Sequence, residues 1–187
     1  AYNNLGEVHY RLQEYIEAKG FYKKALKING KDAAFYKNLG KVHYKLKDCV
    51  KAKTSYGRAT KYNPKDAEAY NKLGEVCYKG DKKKYTDAIE AFYKAIDIKH
   101  DYADAYNNLG EVYYKRKEYD KAENYFDNAI KEKPDVLGAY HNKSKILYYH
   151  KKGYFKAIET LEVIIERDKS DLIAYRNNAY ILWKQAR

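Results

Sequence analysis

The sequence predicts an all-α solenoid, an array of repeated helix pairs. A nine-residue segment, 106–114, returns in close copies along the whole chain. The tyrosines that begin the copies recur every 34 to 36 residues, a period typical of repeat arrays. These lead tyrosines are Tyr2, Tyr36, Tyr70, Tyr106, Tyr140 and Tyr175. Because each repeat contacts mainly its neighbours, we expect one elongated domain over 1–187.

Each repeat contains two helical patterns. In the first, Tyr2, Leu5 and Gly6 fall at i, i+3 and i+4, which places them on one face of a helix. A second apolar series begins near Ile16 and ends before Asn29-Gly30, a pair that breaks helices. The pattern predicts a helix hairpin in every repeat. The predicted repeats span about 1–32, 33–66, 67–102, 103–136 and 137–171, followed by a terminal helix over 172–187.

Three departures from the repeat are visible. The third repeat has two extra residues, which we assign to a long basic turn from Lys79 to Lys84. In the fifth repeat, Lys143-Ser144 replaces Leu-Gly. The terminal helix has no second helix to cover Trp183, so it either caps the array or is a cut end. Since the chain starts one residue before a lead tyrosine and stops inside a helical pattern, we expect a piece of a longer array.

Composition limits the partners and the compartment. Lys+Arg 38 against Asp+Glu 26 gives a net charge of +12, which favours anionic partners, although lysines on solvated helix exteriors would give the same count. No apolar run approaches the roughly 20 residues that span a bilayer, and no signal segment opens the chain, so we expect no membrane insertion. Cys49 and Cys77 lie outside any metal or redox spacing, which suits a reducing compartment and predicts a cytoplasmic location.

Catalysis is not indicated by any motif. An enzyme would need a nucleophile with a base, or clustered metal ligands, and neither pattern is visible. His9, His43 and Cys77 stand seven places after a lead tyrosine, a core position, so we interpret them as structural. We therefore expect no catalytic residue, no metal ligand and no cofactor.

The repeat pattern resembles the tetratricopeptide repeat family over essentially the whole chain. It reads aromatic-x2-Leu-Gly-x2-aromatic, followed by Ala-x3-aromatic-x2-Ala. The small residues that carry it are Gly6, Gly40, Gly74 and Gly110, with Ala18, Ala52, Ala88, Ala122 and Ala157. The resemblance implies helix pairs stacked into a right-handed superhelix whose concave surface is lined by the first helices. It also implies a binding scaffold.

The first helices should present polar side chains to that concave surface. At 100° per residue, the positions two, five and nine places after the lead tyrosine lie opposite the buried stripe. Two places on are Asn4, Asn38, Lys72, Asn108, Asn142 and Asn177. A ladder of carboxamides can hold the backbone of an extended peptide, and this one resembles the asparagine ladder of O-linked N-acetylglucosamine transferases. Alternatively, asparagine is simply common in this chain and in the family.

A basic stripe lies beside the asparagines. Nine places after the lead tyrosine stand Arg11, Lys45, Lys79 and Lys115. These cations suit an acidic or phosphorylated segment, unless Glu7, Glu75 and Glu111 neutralise them at helical spacing. Tyrosines eight places on, such as Tyr44, could stack on a ligand or pack on the next repeat.

The sequence thus predicts a scaffold that binds a protein or peptide partner. We expect an extended or short helical segment in the groove, with Asn108 and Asn142 holding its backbone and Lys79 and Lys115 attracting acidic side chains. Two alternatives remain: self-association through the face near Trp183, and the targeting region of a larger enzyme such as a glycosyltransferase. Nucleic acid is disfavoured, because the lysines and tyrosines follow the packing rules of the repeat.

Overall fold

The computed structural model describes residues 1–80 and 85–187, and these residues form eleven α-helices and no strand. The predicted all-α class is therefore confirmed. The long basic turn predicted from Lys79 to Lys84 falls mostly on 81–84, outside the described residues. The helices are α1 (Tyr2–Arg11), α2 (Tyr15–Ile28), α3 (Ala33–Lys45), α4 (Cys49–Tyr62), α5 (Ala67–Gly80), α6 (Thr86–Ile98), α7 (Ala103–Lys115), α8 (Tyr119–Glu132), α9 (Leu137–Tyr149), α10 (Tyr154–Arg167) and α11 (Leu172–Gln185).

The chain forms two compact units, Ala1–His100 and Asp101–Arg187. In both, the odd-numbered helices are the first helices of the repeats and the even-numbered ones are the second helices. In the first unit, α2 packs against α1 and α3, and α4 packs against α3 and α5. In the second unit, α8 packs against α7 and α9, and α10 packs against α9 and α11. A second helix is thus the layer between two first helices.

Local sequence explains where several helices begin and end. Asp32, Asp66 and Asp171 each accept a backbone N–H at a helix start, for example Ala69 N to Asp66 Oδ1 at 3.0 Å. Such caps typically stabilise a helix by about 1 kcal/mol. At the hairpin turns, a non-glycine residue adopts positive φ and reverses the chain. These residues are Gln13, Lys47, Lys117 and Lys152, with φ of 64°, 60°, 64° and 51°.

In each of four repeats, an aromatic ring of the second helix packs directly on a glycine of the first helix. A Cβ placed on Gly6 would lie 2.6 Å from Cε1 of Tyr22, and one on Gly110 would lie 2.5 Å from Cε1 of Phe126. Gly40 faces Tyr56, and Gly74 faces Phe92, in the same way. Only glycine lets the ring approach this closely, which is the physical reason for the glycine in the repeat.

The same rings also hold the next repeat. Tyr22 belongs to a buried cluster with Leu39 and Val42 of α3. One repeat later, Tyr56 packs with Val76 of α5. Each of these two rings therefore contacts its own first helix and the following one, so the core of the first unit is continuous from repeat to repeat.

Candidate functional site

The candidate site is the first-helix face, defined here as the side chains two, five and nine places after each lead tyrosine. In the first unit it lies on α1, α3 and α5, and in the second on α7, α9 and α11. Of the predicted ligand-binding residues, Asn4, Arg11, Lys45, Lys79 and Lys115 are exposed, and Asn38, Lys72, Asn108, Asn142 and Asn177 are half-buried. All of them are thus at least partly accessible.

Two asparagines of the predicted ladder bridge neighbouring first helices. Asn38 Nδ2 donates to Asn3 Oδ1 at 3.1 Å. Asn142 Nδ2 lies 3.5 Å from both Asn107 Oδ1 and Glu111 Oε1. The partner asparagine stands one place after the lead tyrosine of the preceding repeat, a pairing that sequence reasoning missed. These carboxamide donors therefore help to align adjacent repeats.

The charges on the first-helix face of the first unit are largely paired. Arg11 Nε lies 3.2 Å from Glu7 Oε1, and Lys72 Nζ lies 2.7 Å from Glu75 Oε1. Lys79 donates to the hydroxyl of Tyr44. A cleft of about 320 Å³ opens here, and Glu68 and Glu75 line it together with three lysines. Of the basic stripe in this unit, Arg11 is therefore paired with a carboxylate, and Lys79 is bonded to a neutral hydroxyl.

An ion-pair cluster next to this cleft joins α3 to α5. Lys37 Nζ lies 2.9 Å from Asp66 and 2.7 Å from Glu68, and Lys41 Nζ lies 2.9 Å from Glu68. Burial alone would raise the pKa of Glu68, but hydrogen bonds from Lys37 and Lys41 outweigh it and lower the pKa to about 2. The cluster links two repeats, so its lysines are committed to the fold rather than to a ligand.

The second unit has a different cleft, between α9 and α11, with a volume of about 350 Å³. Leu161, Ile173 and Ile181 form its apolar surface. The aromatic walls are Tyr148, Tyr149 and Tyr180, and the polar lining is Ser144, Lys145, Arg176 and Asn177. No carboxylate lines this cleft among the residues that the structure describes. It therefore combines apolar surface with uncompensated positive charge.

Comparison with known proteins identifies the family. Sequence profiles of the tetratricopeptide repeat match residues 1–32 and 103–136, and a further profile of this repeat matches residues 81–117. The crystal structure of MamA is 30% identical, covers 88% of this chain and 94% of its own, and superposes with a TM-score of 0.77. The chain belongs to the tetratricopeptide repeat family. It is accordingly a protein-interaction scaffold, and members of the family are generally not enzymes.

Other tetratricopeptide structures share the fold at lower identity. PilF of Pseudomonas aeruginosa is 20% identical, covers 92% of this chain and 78% of its own, and has a TM-score of 0.82. YrrB, described as a tetratricopeptide protein with an unusual peptide-binding site, is 22% identical, covers 95% of this chain and 90% of its own, and has a TM-score of 0.74. No curated protein sequence matches the chain.

The tyrosines eight places after the lead tyrosine pack within their own tetratricopeptide hairpin. Tyr10 lies edge-on to Tyr15 with the ring centroids 5.5 Å apart, and Tyr114 lies edge-on to Tyr119 at 5.6 Å. Each partner is the first residue of the second helix of the same repeat. The expected packing on the next repeat occurs as well: Tyr114 lies edge-on to His150 at 5.7 Å, and Tyr148 lies edge-on to Tyr180 at 6.0 Å.

Of the three residues that the sequence indicates are structural, His43 and Cys77 lie in the repeat core, and His9 is half-buried. His43 and Cys77 are buried, and burial lowers the pKa of His43 and raises the pKa of Cys77. His9 stacks on Phe21 with a centroid distance of 4.9 Å. Within residues 1–80 and 85–187, no group of three or more His, Cys, Asp or Glu side chains could hold a metal ion. In the same residues, no helix is long and apolar enough to cross a membrane.

Proposed function

We propose that this tetratricopeptide scaffold captures an acidic peptide segment, extended or as a short helix, on its first-helix face. The α9–α11 cleft is the main contact. The observation that carries the proposal is that Lys145 and Arg176 stand beside a tyrosine-walled apolar cleft, with no carboxylate among the described residues that line it. A guanidinium binds a carboxylate with two parallel hydrogen bonds, and the walls accept apolar or aromatic side chains of the same segment.

The asparagines supply the backbone contacts in this proposal. Asn177 lines the cleft, and Asn142 lies on the adjacent first helix, where its Oδ1 is 3.5 Å from Lys145 Nζ. A carboxamide oxygen accepts a peptide N–H whatever the ligand sequence is. Asn108 and Lys115 of α7 would extend the same contact surface. Affinity in the micromolar range, about 8 kcal/mol, is expected for a groove of this kind.

The first unit contributes less to binding an acidic ligand. Its cleft contains Lys41, Lys45 and Lys72, but Lys41 is paired with Glu68 and Lys72 with Glu75. A carboxylate of the ligand would have to compete with these internal pairs. Lys45 is exposed and has no ion-pair partner among the residues that the structure describes, so it is the cation of this cleft that we assign to a ligand.

The test uses two labelled peptides and fluorescence anisotropy. One peptide alternates glutamate with phenylalanine, and its control replaces every glutamate with lysine. We expect saturable binding of the acidic peptide and no saturable binding of the lysine control. Replacing Lys145→Gln together with Arg176→Gln should weaken it about tenfold or more, because charged hydrogen bonds contribute about 1.5–3 kcal/mol.

A charge-matched control separates the cleft from the general field of the protein. Lys131→Gln with Lys133→Gln removes the same charge from exposed positions of α8 and its C-cap, outside the cleft. It should change the affinity by less than about twofold. An equal loss in both double variants would reject the cleft as the site. Unchanged affinity in Asn108→Ala with Asn142→Ala, in a variant that keeps its helical content, would reject the backbone-holding role of the ladder.

A further inference from the structure

We infer that the surface between α2 and α4 binds the phosphate group of a phosphorylated segment of a partner protein. This surface, called the α2–α4 patch here, consists of Lys19, Lys23, Lys51, Thr54 and Arg58. It belongs to second helices of the first unit, whereas the α9–α11 cleft belongs to the second unit. The inference therefore does not rest on the proposed function.

An ion pair between α4 and α6 shows which positions of neighbouring second helices face each other. Lys53 Nζ lies 2.7 Å from Asp87 Oδ2. Lys53 directly follows the buried Ala52 of α4, and Asp87 directly precedes the buried Ala88 of α6. The residue after the alanine of one second helix is thus opposite the residue before the alanine of the next.

Between α2 and α4 the same two positions carry like charges. Lys19 follows the buried alanine of α2, and Lys51 precedes that of α4. In the second unit the two positions again carry opposite charges, with Glu123 on α8 and Lys156 on α10. Two ammonium groups repel each other, so an anion bound between α2 and α4 would replace the ion pair of the next repeat.

A cleft between α4 and α6 extends the comparison. It has a volume of about 190 Å³, and its described charged lining consists of Lys53, Asp87, Glu90 and Lys94. Cations and carboxylates therefore balance there. At the matching places α2 and α4 have Lys19, Lys51, Thr54 and Arg58. A lysine and a threonine stand where the α4–α6 cleft has its carboxylates, so the α2–α4 patch is cationic.

The buried imidazole of α3 shows that lysines of both helices converge. His43 is 6% exposed, and this burial lowers its pKa, whereas Asp48 acts in the opposite direction. The positive charges of Lys19, Lys51 and Lys23 lower the pKa of His43 further. Because the interaction between charges falls with distance, three ammonium groups from α2 and α4 lie around one point.

Most of these cations are available to a ligand. Among the residues that the structure describes, Lys19, Lys23 and Arg58 form no ion pair. Lys51 Nζ lies 2.7 Å from Asp48 Oδ2, and the same carboxylate caps the start of α4. Its one nearby carboxylate is thus already committed to the fold, and the patch keeps a positive charge.

The chemistry of the patch matches a phosphate monoester. The Arg58 guanidinium lies 5.4 Å from the ring centroid of Tyr36, a cation–π contact that positions it and leaves the N–H donors in its plane. A phosphate monoester has a charge of about −1.5 to −2 at pH 7 and three acceptor oxygens, so it can bind several cations at once. A carboxylate has a single charge. Since the chain is a protein-interaction scaffold, the phosphate belongs to a protein segment.

The test uses isotope-labelled protein and two synthetic peptides. One peptide consists of glycine and serine with a central phosphoserine, and the other has serine in its place. We expect the phosphoserine peptide to cause saturable NMR shifts of backbone amides in α2 and α4, and the serine peptide to cause none. Equal shifts with both peptides, no shifts, or shifts confined to α9 and α11 would overturn the inference.

Exchanging residues between the two surfaces tests the charge argument. Lys51→Asp with Thr54→Glu gives α4 the acidic residues of α6 and should weaken binding about tenfold or more, because charged contacts are lost. Conversely, Asp87→Lys with Glu90→Thr should produce phosphoserine-dependent shifts in α4 and α6. Unchanged affinity after the first exchange, or no new shifts after the second, would contradict the inference.

A control variant separates the patch from the general field of the protein. Lys131→Glu with Lys133→Gln makes the same change in net charge as the first exchange, but on α8 and its C-cap. It should change the affinity for the phosphoserine peptide by less than about twofold. An equal loss of affinity in the two double variants would mean that the patch is not the site.

A thymidine dinucleotide tests nucleic acid as the alternative partner. Its one phosphate is a diester with a single negative charge, so it should bind the patch more weakly than the phosphoserine peptide does. Equal or tighter binding of the dinucleotide, with amide shifts in α2 and α4, would assign the patch to nucleic acid and overturn the inference.

Discussion

At the scale of single residues, the contact between glycine and ring is the most constrained feature of the fold. Glycine inside a helix is usually destabilising by roughly 0.5–1 kcal/mol relative to alanine. Gly110 is nevertheless in the middle of α7, because the ring of Phe126 occupies the space of a side chain. The loss in helix propensity is therefore offset by close packing of the ring.

We predict that Gly110→Ala lowers the free energy of unfolding by about 1–3 kcal/mol, since the new Cβ would lie 2.5 Å from Cε1 of Phe126. Urea unfolding, monitored by circular dichroism, measures this change in the free energy of unfolding. The control is Gly57→Ala in α4, where a Cβ meets nothing within 4 Å; there we expect a gain of about 0.5–1 kcal/mol. A gain at both sites would contradict the steric account.

In the fifth repeat, Ser144 stands at the glycine position and Leu161 at the position of the ring, and this pairing suggests a rescue of the same variant. Adding Phe126→Leu to Gly110→Ala should recover part of the lost stability, because leucine leaves room for the Cβ, as it does in the fifth repeat. The double-mutant cycle should therefore show a coupling of about 0.5–3 kcal/mol. Strictly additive effects would mean that the ring and the glycine do not act as a unit.

The asparagine ladder shows what a sequence can and cannot reveal about single residues. Helical spacing was enough to place Asn38 and Asn142 on an accessible face, where both are half-buried. Their hydrogen bonds to Asn3 and Asn107 join residues 35 positions apart. Such contacts depend on how far one first helix is shifted along the next, which the repeat period alone does not determine.

At the scale of helices, the same motif has different surroundings in successive repeats. Leu5 and Val8 of α1 are 44% and 53% exposed, whereas Leu39 and Val42 of α3 are 7% and 0% exposed. The difference arises because α2 covers α3 in a buried cluster that includes Tyr22. Burial in a repeat array therefore follows from position in the stack as well as from sequence.

We predict that Leu39→Ala lowers the free energy of unfolding by about 2–5 kcal/mol, the usual cost of a cavity in a core. Leu5→Ala should cost less than about 1 kcal/mol, because its side chain is already partly in water. Both variants are compared by urea unfolding at equal protein concentration. Similar costs would show that α1 is covered in solution, which the structure does not predict.

The ion-pair cluster between α3 and α5 predicts a pH dependence. The pKa of Glu68 falls from its ordinary value of 4.5 to about 2 on folding, so the folded state binds fewer protons than the unfolded state between these values. The stabilisation is complete above pH 4.5 and is lost as the pH falls toward 2. The Glu68 side chain is 41% exposed, so solvent screening limits its contribution to the free energy of unfolding to about 1 kcal/mol or less.

The measurement is the urea midpoint between pH 5 and pH 2.5 for the native chain and for Glu68→Gln. The variant should lose less stability over this range, because it has no carboxylate to protonate. Asp97→Asn is the matched control, since Asp97 is exposed on α6 and belongs to no ion pair that the structure describes. If the urea midpoint of Glu68→Gln fell with pH in parallel with that of the native chain, the ion-pair cluster would not contribute to the loss of stability in acid.

The helices were predictable from the sequence, and the turns between them were less so. Apolar periodicity, with a helix-breaking pair at Asn29-Gly30, located the helix hairpins in agreement with the structure. The reversals at Gln13, Lys47 and Lys117 use positive φ without glycine or asparagine, so no residue type signalled them. Their conformation follows from the packing of the two helices that they join.

At the scale of the whole molecule, net charge is an incomplete guide to the binding site. The net charge of +12 favours anionic partners, yet lysines on the first-helix face of the first unit are paired with glutamates. In the second unit, Lys145 and Arg176 line a cleft whose described lining residues include no carboxylate. Which lysines remain available to a ligand depends on contacts between repeats, and composition does not contain that information.

The net charge of the protein and the cations of the cleft should affect different steps in binding of the proposed acidic ligand. The general positive field acts over the Debye length, about 10 Å at 0.1 M salt, and accelerates encounter. The cations of the cleft act at contact and slow dissociation. We therefore predict that added salt lowers the association rate of the glutamate–phenylalanine peptide much more than it raises the dissociation rate.

Stopped-flow fluorescence at increasing salt measures both rates. Lys145→Gln with Arg176→Gln should raise the dissociation rate at every salt concentration, because it removes contacts in the bound state. Lys131→Gln with Lys133→Gln should leave dissociation unchanged and reduce association slightly, because it changes only the long-range field. If salt acted mainly on dissociation, the peptide would be held by exposed charge pairs rather than by a cleft that excludes water, and the α9–α11 site would have to be abandoned.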